Sequence, residues 1–239
     1  HTIHIEDTNR CFTSQVVTLN TPSPLNLNVI ANPVTCKGSN NGSISATLNG
    51  GSGTKYLNWF TANGNHIGTD NQVSLLLAGN YFVSIKDENL CGVTSDSDTL
   101  FGPFTVAEPL QELTLNVQNK NKPICHGNSN GSITLAASGG WGGYLFSSNG
   151  TTFSQSPTCS NLSAGEHILY VTDSKGCAKI ITTNLDEPTP VNAFVSSQSD
   201  AKCFNQSDGR IVTMAEGGTP PYSYSMNKLQ WNTHGQFMQ

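Results

Sequence analysis

Charge is scarce in this sequence. Only 11% of its 239 residues are Asp, Glu, Lys or Arg, and 8% are aromatic. The eleven Lys and Arg residues do not cluster. The phosphate-neutralising term that dominates nucleic-acid binding is therefore missing, and the net charge of −5 points the same way. No apolar run approaches the roughly 18–20 residues that span a bilayer, which excludes direct membrane insertion by a helix in this stretch. No window combines a helical period with good helix formers. There is no Cys-x-x-Cys, and the seven cysteines are too dispersed for a zinc knuckle. There is no Gly-x-Ser-x-Gly nucleophile elbow. The six histidines are scattered; His126 follows Cys125, but the corresponding positions elsewhere hold Lys37 and Phe204, so no dyad recurs. No catalytic, metal or cofactor-binding residue is assigned. The chain starts at His1, without a Met or a signal peptide. It is expected to be a stretch of a longer protein.

What the sequence has in quantity is itself. "HTIHIEDTNRC" (1–11), "YFVSIKDENLC" (81–91) and "HILYVTDSKGC" (167–177) correspond. So do "CKGSNNGSISATLNGG" (36–51), "CHGNSNGSITLAASGG" (125–140) and "CFNQSDGRIVTMAEGG" (203–218). Tyr56, Tyr144 and Tyr222 follow the Gly-Gly pairs, and each unit closes near a proline: Pro22, Pro109 and Pro188. A period of about 80–90 residues means a tandem array of small modules. The expected division is the end of one repeat (1–22), two full repeats (23–109 and 110–190) and the front of another (191–239).

Inside a repeat the apolar residues alternate. Ile44, Ala46 and Leu48 share one face, as do Ile133, Leu135 and Ala137, and Tyr81, Val83 and Ile85 form a second such set. Period two means strands with one buried face. Asn41-Gly42, Asn130-Gly131 and Asp208-Gly209 read as Asx-Gly turns with positive φ at low cost. Asp87 and Asp173 read as turn residues bonding nearby N–H groups. About seven strands per repeat predict an all-β chain of tandem immunoglobulin-like β-sandwich repeats in a rod.

Modules this small bury only about 60–65% of their unfolded surface and gain from staples. Each full repeat has one cysteine before its Asx-Gly and one after its Asp turn. The expected disulfides are Cys36–Cys91 and Cys125–Cys177, each contributing about 4 kcal/mol in the chain-entropy account. Cys11 and Cys203 would then find partners outside this stretch, and Cys159 is a surplus thiol. An oxidising compartment follows.

Two further features concern ligands. Asp96 and Asp98, with Ser95 and Ser97, offer oxygens to a hard cation, but no full EF-type loop surrounds them, and a solvated turn is the favoured reading. Trp59, Trp141 and Trp231 are the candidates for stacking on a sugar. They do not occupy equivalent positions, and covering their own core edges is the favoured reading.

The combination Cys125, Gly127, Asn130-Gly131-Ser132-Ile133, Gly139-Gly140, Ala164-Gly165, Val171, Asp173, Gly176-Cys177 and Pro188, with Pro221-Tyr222-Ser223-Tyr224 in the last unit, resembles the SprB-type repeat of Bacteroidetes surface proteins. Leu90 stands before Cys91 where the pattern has Gly, and the middle units lack Pro before Tyr56 and Tyr144. The resemblance implies a secreted protein on the cell's outer surface, delivered by type IX secretion. It further implies a structural and adhesive stalk segment of a large adhesin, acting in surface attachment and gliding motility. Its partners would be an extracellular surface or polysaccharide and the export and motility machinery of the outer membrane. The competing reading is a lectin-like carbohydrate-binding module; a catalytic role is not expected.

Overall fold

A computed structural model of the chain describes residues 1–92 and 100–238. The Asp96/Asp98 loop lies outside the described residues. Among these, every regular element is a strand. The chain divides into two units, His1–Glu108 and Pro109–Gln239.

The first unit opens with a hairpin of β1 (Thr2–Glu6) and β2 (Phe12–Val16). The first full repeat follows: β3 (Asn26–Asn32), β4 (Gly42–Asn49), β5 (Lys55–Thr61), β6 (His66–Gly68), β7 (Gln72–Leu76), β8 (Gly79–Asp87) and β9 (Phe101–Val106). Two antiparallel sheets form, in the orders β3-β4-β7 and β6-β5-β8-β9. This is the seven-strand immunoglobulin-like sandwich that the alternation predicts.

The second unit contains β10 (Thr114–Asn121), β11 (Gly131–Ser138), β12 (Leu145–Ser147), β13 (Thr158–Leu162), β14 (Gly165–Thr172) and β15 (Ala178–Leu185), in sheets β10-β11-β13 and β12-β14-β15. Where the first repeat has β6, this one has only a bridge between Phe146 and Ser154. It ends with a sheet of β16 (Asn192–Ser199), β17 (Arg210–Glu216) and β18 (Gln236–Met238).

The burial patterns of β4 and β11 are identical, residue for residue. Ile44 and Ala46, and their counterparts Ile133 and Leu135, face the core. Trp59, Val83 and Val106 fill the first core, and Phe146, Leu169, Val171 and Leu185 the second. Cys159 lies opposite Ile133 as Val73 lies opposite Ile44. The surplus cysteine is thus a core residue in a valine's place. Burial raises its thiol pKa, while a hydrogen bond from Ser148 opposes the shift.

The Asx-Gly pairs are not the positive-φ turns that the sequence suggests. Gly42 and Gly131 are the first residues of β4 and β11 and are absent from the positive-φ set; that conformation falls earlier in the loop, on Gly38 and Gly127. The loops between paired strands run from 33 to 41 and from 122 to 130, too long for a two-residue hairpin turn. The asparagine caps this loop instead. Asn41 Oδ1 accepts the N–H of Thr35 at 3.0 Å, Asn130 Oδ1 that of Ile124 at 3.0 Å, and Asp208 Oδ1 that of Lys202 at 3.0 Å. The glycine is needed for space. A β-carbon on Gly131 would lie 2.7 Å from Leu185 Cδ2 and 2.9 Å from the Leu162 carbonyl oxygen.

The replacement Gly131→Ala is therefore expected to destabilise the second repeat by about 1–3 kcal/mol, the usual cost of overpacking. Urea denaturation monitored by intrinsic fluorescence measures this; an unchanged midpoint would refute the close-packing role.

Candidate functional site

Each full repeat receives the chain at one end, here the leading end, and releases it at the opposite, trailing end. Both ends are built from recurring polar residues, and both carry a cysteine.

At the leading end, the strand preceding the Asp turn stops and its neighbours leave backbone donors without ladder partners. One carboxylate collects them. Asp87 Oδ1 accepts the N–H groups of Asn89 (3.0 Å) and Cys91 (2.9 Å), and Oδ2 accepts that of Ser52 (2.8 Å). Asp173 repeats this with Lys175 (2.9 Å), Cys177 (3.0 Å) and Trp141 (2.9 Å). Asp7 makes the first half of it with Asn9 and Cys11. Asp87 and Asp173 are almost fully buried. The Ser52 hydrogen bond, foremost, holds the Asp87 carboxyl below its ordinary pKa; desolvation opposes this, and the Cys91 and Asn89 N–H groups reinforce it.

The Gly-Gly pair serves the same end. Gly50 and Gly51, Gly139 and Gly140, and Gly217 and Gly218 all have positive φ. The second glycine's N–H donates to the incoming segment: Gly51 to the Ser23 carbonyl, Gly140 to that of Gln111 and Gly218 to that of Thr189, at 2.7–2.9 Å. A β-carbon on Gly50, Gly139 or Gly217 would collide with that segment's backbone, at Pro24, Glu112 and Pro190 respectively.

At the trailing end, a glutamate before the closing proline reaches back to the loop that holds the front cysteine. Glu108 Oε2 accepts the Gly38 N–H at 2.9 Å, and Glu187 Oε2 the Gly127 N–H at 2.7 Å. Glu187 Oε1 also lies 2.9 Å from His126 Nδ1. Glu-Pro recurs at 108–109 and 187–188, but the sequence does not show the loop contact that these glutamates make. A corner contact recurs as well. The Tyr81 hydroxyl donates to the Leu77 carbonyl at 2.9 Å, and His167 Nε2 stands 2.8 Å from the equivalent Ser163 carbonyl.

The within-repeat disulfides are not formed. Cys91 and Cys125 are exposed free thiols, as are Cys11 and Cys203, and Cys159 is a buried one. Cys36 and Cys177 are each disulfide-bonded. The reason is placement. Cys36 and Cys125 sit in trailing-end loops, whereas Cys91 and Cys177 sit in leading-end turns. An eight-residue strand spans about 26 Å, and a disulfide needs α-carbons within about 7 Å.

The tryptophans part company. Trp59 has no exposed surface; its Nε1–H donates to the Asp70 carbonyl at 2.9 Å, and its ring meets Phe104 edge-on at 6.5 Å. It belongs to the core and is closed to a sugar. Trp141 is half-buried in the Gly-Gly loop. Trp231 is exposed, beside Asn227, Gln230 and Asn232 in a shallow cleft of about 360 Å³. Among the described residues, no three His, Cys, Asp or Glu side chains gather to hold a metal ion.

Family comparison matches the SprB repeat at residues 28–54, 117–153 and 195–230. No curated protein matches the sequence. Among solved structures, the three N-terminal domains of the bacteriophage RB49 Highly Immunogenic Outer Capsid protein are similar at 15% identity (TM-score 0.40; 89% of this chain, 80% of that one). A C-terminal 282-residue fragment of intimin, solved with the intimin-binding domain of the translocated intimin receptor, is similar at 17% identity (TM-score 0.40; 73% and 67%). Fibronectin(III)-like modules of Clostridium thermocellum CbhA are similar at 14% identity (TM-score 0.34; 68% and 94%). The three matched stretches fall in three successive units of the chain.

Asp173→Ala should destabilise the second repeat by about 2–3 kcal/mol, because it leaves three backbone donors without their acceptor. The pH dependence is read at Asp87. Its lowered folded pKa gives stability that is present above the ordinary carboxylate value near 3.9 and is lost as pH falls through the folded value. In acid titrations of thermal stability, the wild type should fall off more steeply below about pH 4 than Asp87→Asn does. Parallel curves would contradict this assignment.

Proposed function

We propose that this chain is a structural and adhesive stalk segment of an exported cell-surface protein, holding binding elements away from the cell. One observation carries the reading: what recurs from repeat to repeat is the machinery of the ends. The Asp turn, the Gly-Gly loop, the Glu-Pro clamp and the Asx cap return with the same partners. The faces recur less completely: β4 and β11 match, but β6 of the first repeat is reduced in the second to a single bridge between Phe146 and Ser154. A module that keeps its joints and varies its faces is suited to being strung in an array.

Tandem SprB repeats and the disulfide-bonded cysteines fit an extracellular setting. Attachment and gliding are the roles we assign to the whole protein, with an extracellular surface or polysaccharide as partner and type IX export as the route. Many weak contacts along such an array add up through avidity. The lectin-like reading retains one support, the exposed Trp231 with its neighbouring amides.

A glycan and polysaccharide panel probed with the oxidised chain, with Trp231→Ala and Trp141→Ala beside it, separates the two. No saturable binding by the folded chain is the expected result. Saturable binding lost in Trp231→Ala would make this segment a lectin and displace the stalk reading.

A further inference from the structure

We infer that the β16–β18 sheet is a docking surface for the β1–β2 hairpin of a second copy of this chain, so that copies associate head to tail.

The sheet has the form of half a sandwich. Its strands pair as those of the intact second repeat do. Asn192 lies opposite Glu216 as Thr114 lies opposite Ser138, with the register shift at the corresponding place. Ile211 lies opposite Phe237 as Ile133 lies opposite Cys159. In the second repeat this face is covered by the β14–β15 hairpin, whose Leu169, Val171 and Leu185 are buried. In β16–β18 it is open. Ile211 and Phe237 are partly exposed, and with Gly209 and Met226 they line a cleft of about 320 Å³. A β-carbon on Gly131 would meet Leu185 Cδ2 at 2.7 Å, whereas one on Gly209 would meet no atom nearer than 3.6 Å. The space that Leu185 fills in the second repeat is open beside Gly209.

The hairpin has the form of the other half. Glu6 lies opposite Phe12 as Thr172 lies opposite Ala178, and Thr2 opposite Val16 as Ile168 opposite Thr182. Ile3 and Ile5 hold the places of Leu169 and Val171, and Leu19, after Cys11, holds that of Leu185, after Cys177. Leu169 and Val171 are 0% exposed and Leu185 1%, but Ile3, Ile5 and Leu19 are 50%, 61% and 70% exposed. The other hairpins of this kind, β8–β9 and β14–β15, are committed to the cores of their own repeats.

The polar groups match as well. The Asp turns of both full repeats take a third hydrogen bond, from the Ser52 N–H to Asp87 and from the Trp141 N–H to Asp173. The counterparts are Asp7 Oδ2 on the hairpin and the Thr219 N–H on the sheet's Gly-Gly loop. Burial of the two apolar faces supplies the driving force. Register supplies specificity, because a slip of one residue would turn both isoleucines away from the sheet. The contact is between two molecules, and each one's share is fixed by geometry inside the hairpin or inside the sheet. It is heterologous: every copy offers both surfaces, and association runs on from copy to copy. The inference does not rest on the stalk reading.

Sedimentation velocity of the whole chain over a range of concentrations tests this, with the free thiols alkylated beforehand so that disulfide exchange cannot imitate association. The sedimentation coefficient should rise with concentration. Ile5→Asp, in the hairpin, and Phe237→Asp, in the sheet, should each sediment as a monomer throughout. Mixed together they should form a one-to-one complex, because the first keeps an intact sheet and the second an intact hairpin. Met214→Asp, on the opposite face of β17, should associate as the wild type does. A wild type that stays monomeric at every concentration, single variants that still self-associate, or a mixture that forms no complex would each overturn the inference. None of these outcomes depends on whether the chain binds a glycan.

Discussion

A buried carboxylate organises the leading end of each repeat, and most of the recurring sequence follows from it. An antiparallel sheet leaves unpaired N–H groups wherever its strands stop, and such groups must find acceptors if they are covered. Asp87 and Asp173 each accept three of them. To do so, the carboxylate must come up against the loop after β4 or β11, and there a side chain has no room. A β-carbon on Gly51 would lie 2.9 Å from Asp87 Oδ2, and one on Gly140 2.5 Å from Asp173 Oδ2. The glycine that makes space for the acid also donates its own N–H to the incoming segment. Turn, loop, entry segment and rear cysteine thus form one network, in which the position of each part depends on the acid.

The trailing end solves the same problem with different residues. Its loop is closed at the base by the Asx side chain and held to the exit strand by the glutamate before the proline. The proline after it cannot donate a backbone hydrogen bond and fixes its own φ. The two ends are therefore better determined than a short connecting segment alone would make them. Away from the ends the repeats diverge at one sheet edge: β6 is present in one and reduced to a single bridge in the other.

The strands were legible because burial on one face writes an alternation into the sequence, and β4 and β11 show it without a fault. The turns were less so. Asn-Gly suggests a tight hairpin wherever it stands, but here the asparagine reaches back six residues to cap a longer loop, and the glycine is needed for contact with Leu162 and Leu185. Local propensity identifies the residue types and not the distant atoms that require them. The tryptophans illustrate the same limit: nothing in the neighbourhood of Trp59 or Trp231 in the sequence tells which ring is enclosed, because the enclosing residues, Phe104 among them, come from elsewhere in the chain.

Cysteine spacing misled for a related reason. Recurrence shows which cysteines belong to the repeat, and it pairs front with rear inside one unit most simply. It does not carry the direction of the strands between them. From the front loop the chain crosses the sandwich before it reaches the Asp turn, and the two sulfurs finish at opposite ends of the module. Cys159 looked anomalous on the same logic, yet it needs no partner. It replaces Val73 opposite the same isoleucine, and its burial disfavours the thiolate that exchange chemistry requires. The chain thus holds cysteines of two physical kinds. Those at the ends recur with the repeat, next to joints, while the one in the core follows the packing of a single module and is kept out of reach of the others' chemistry.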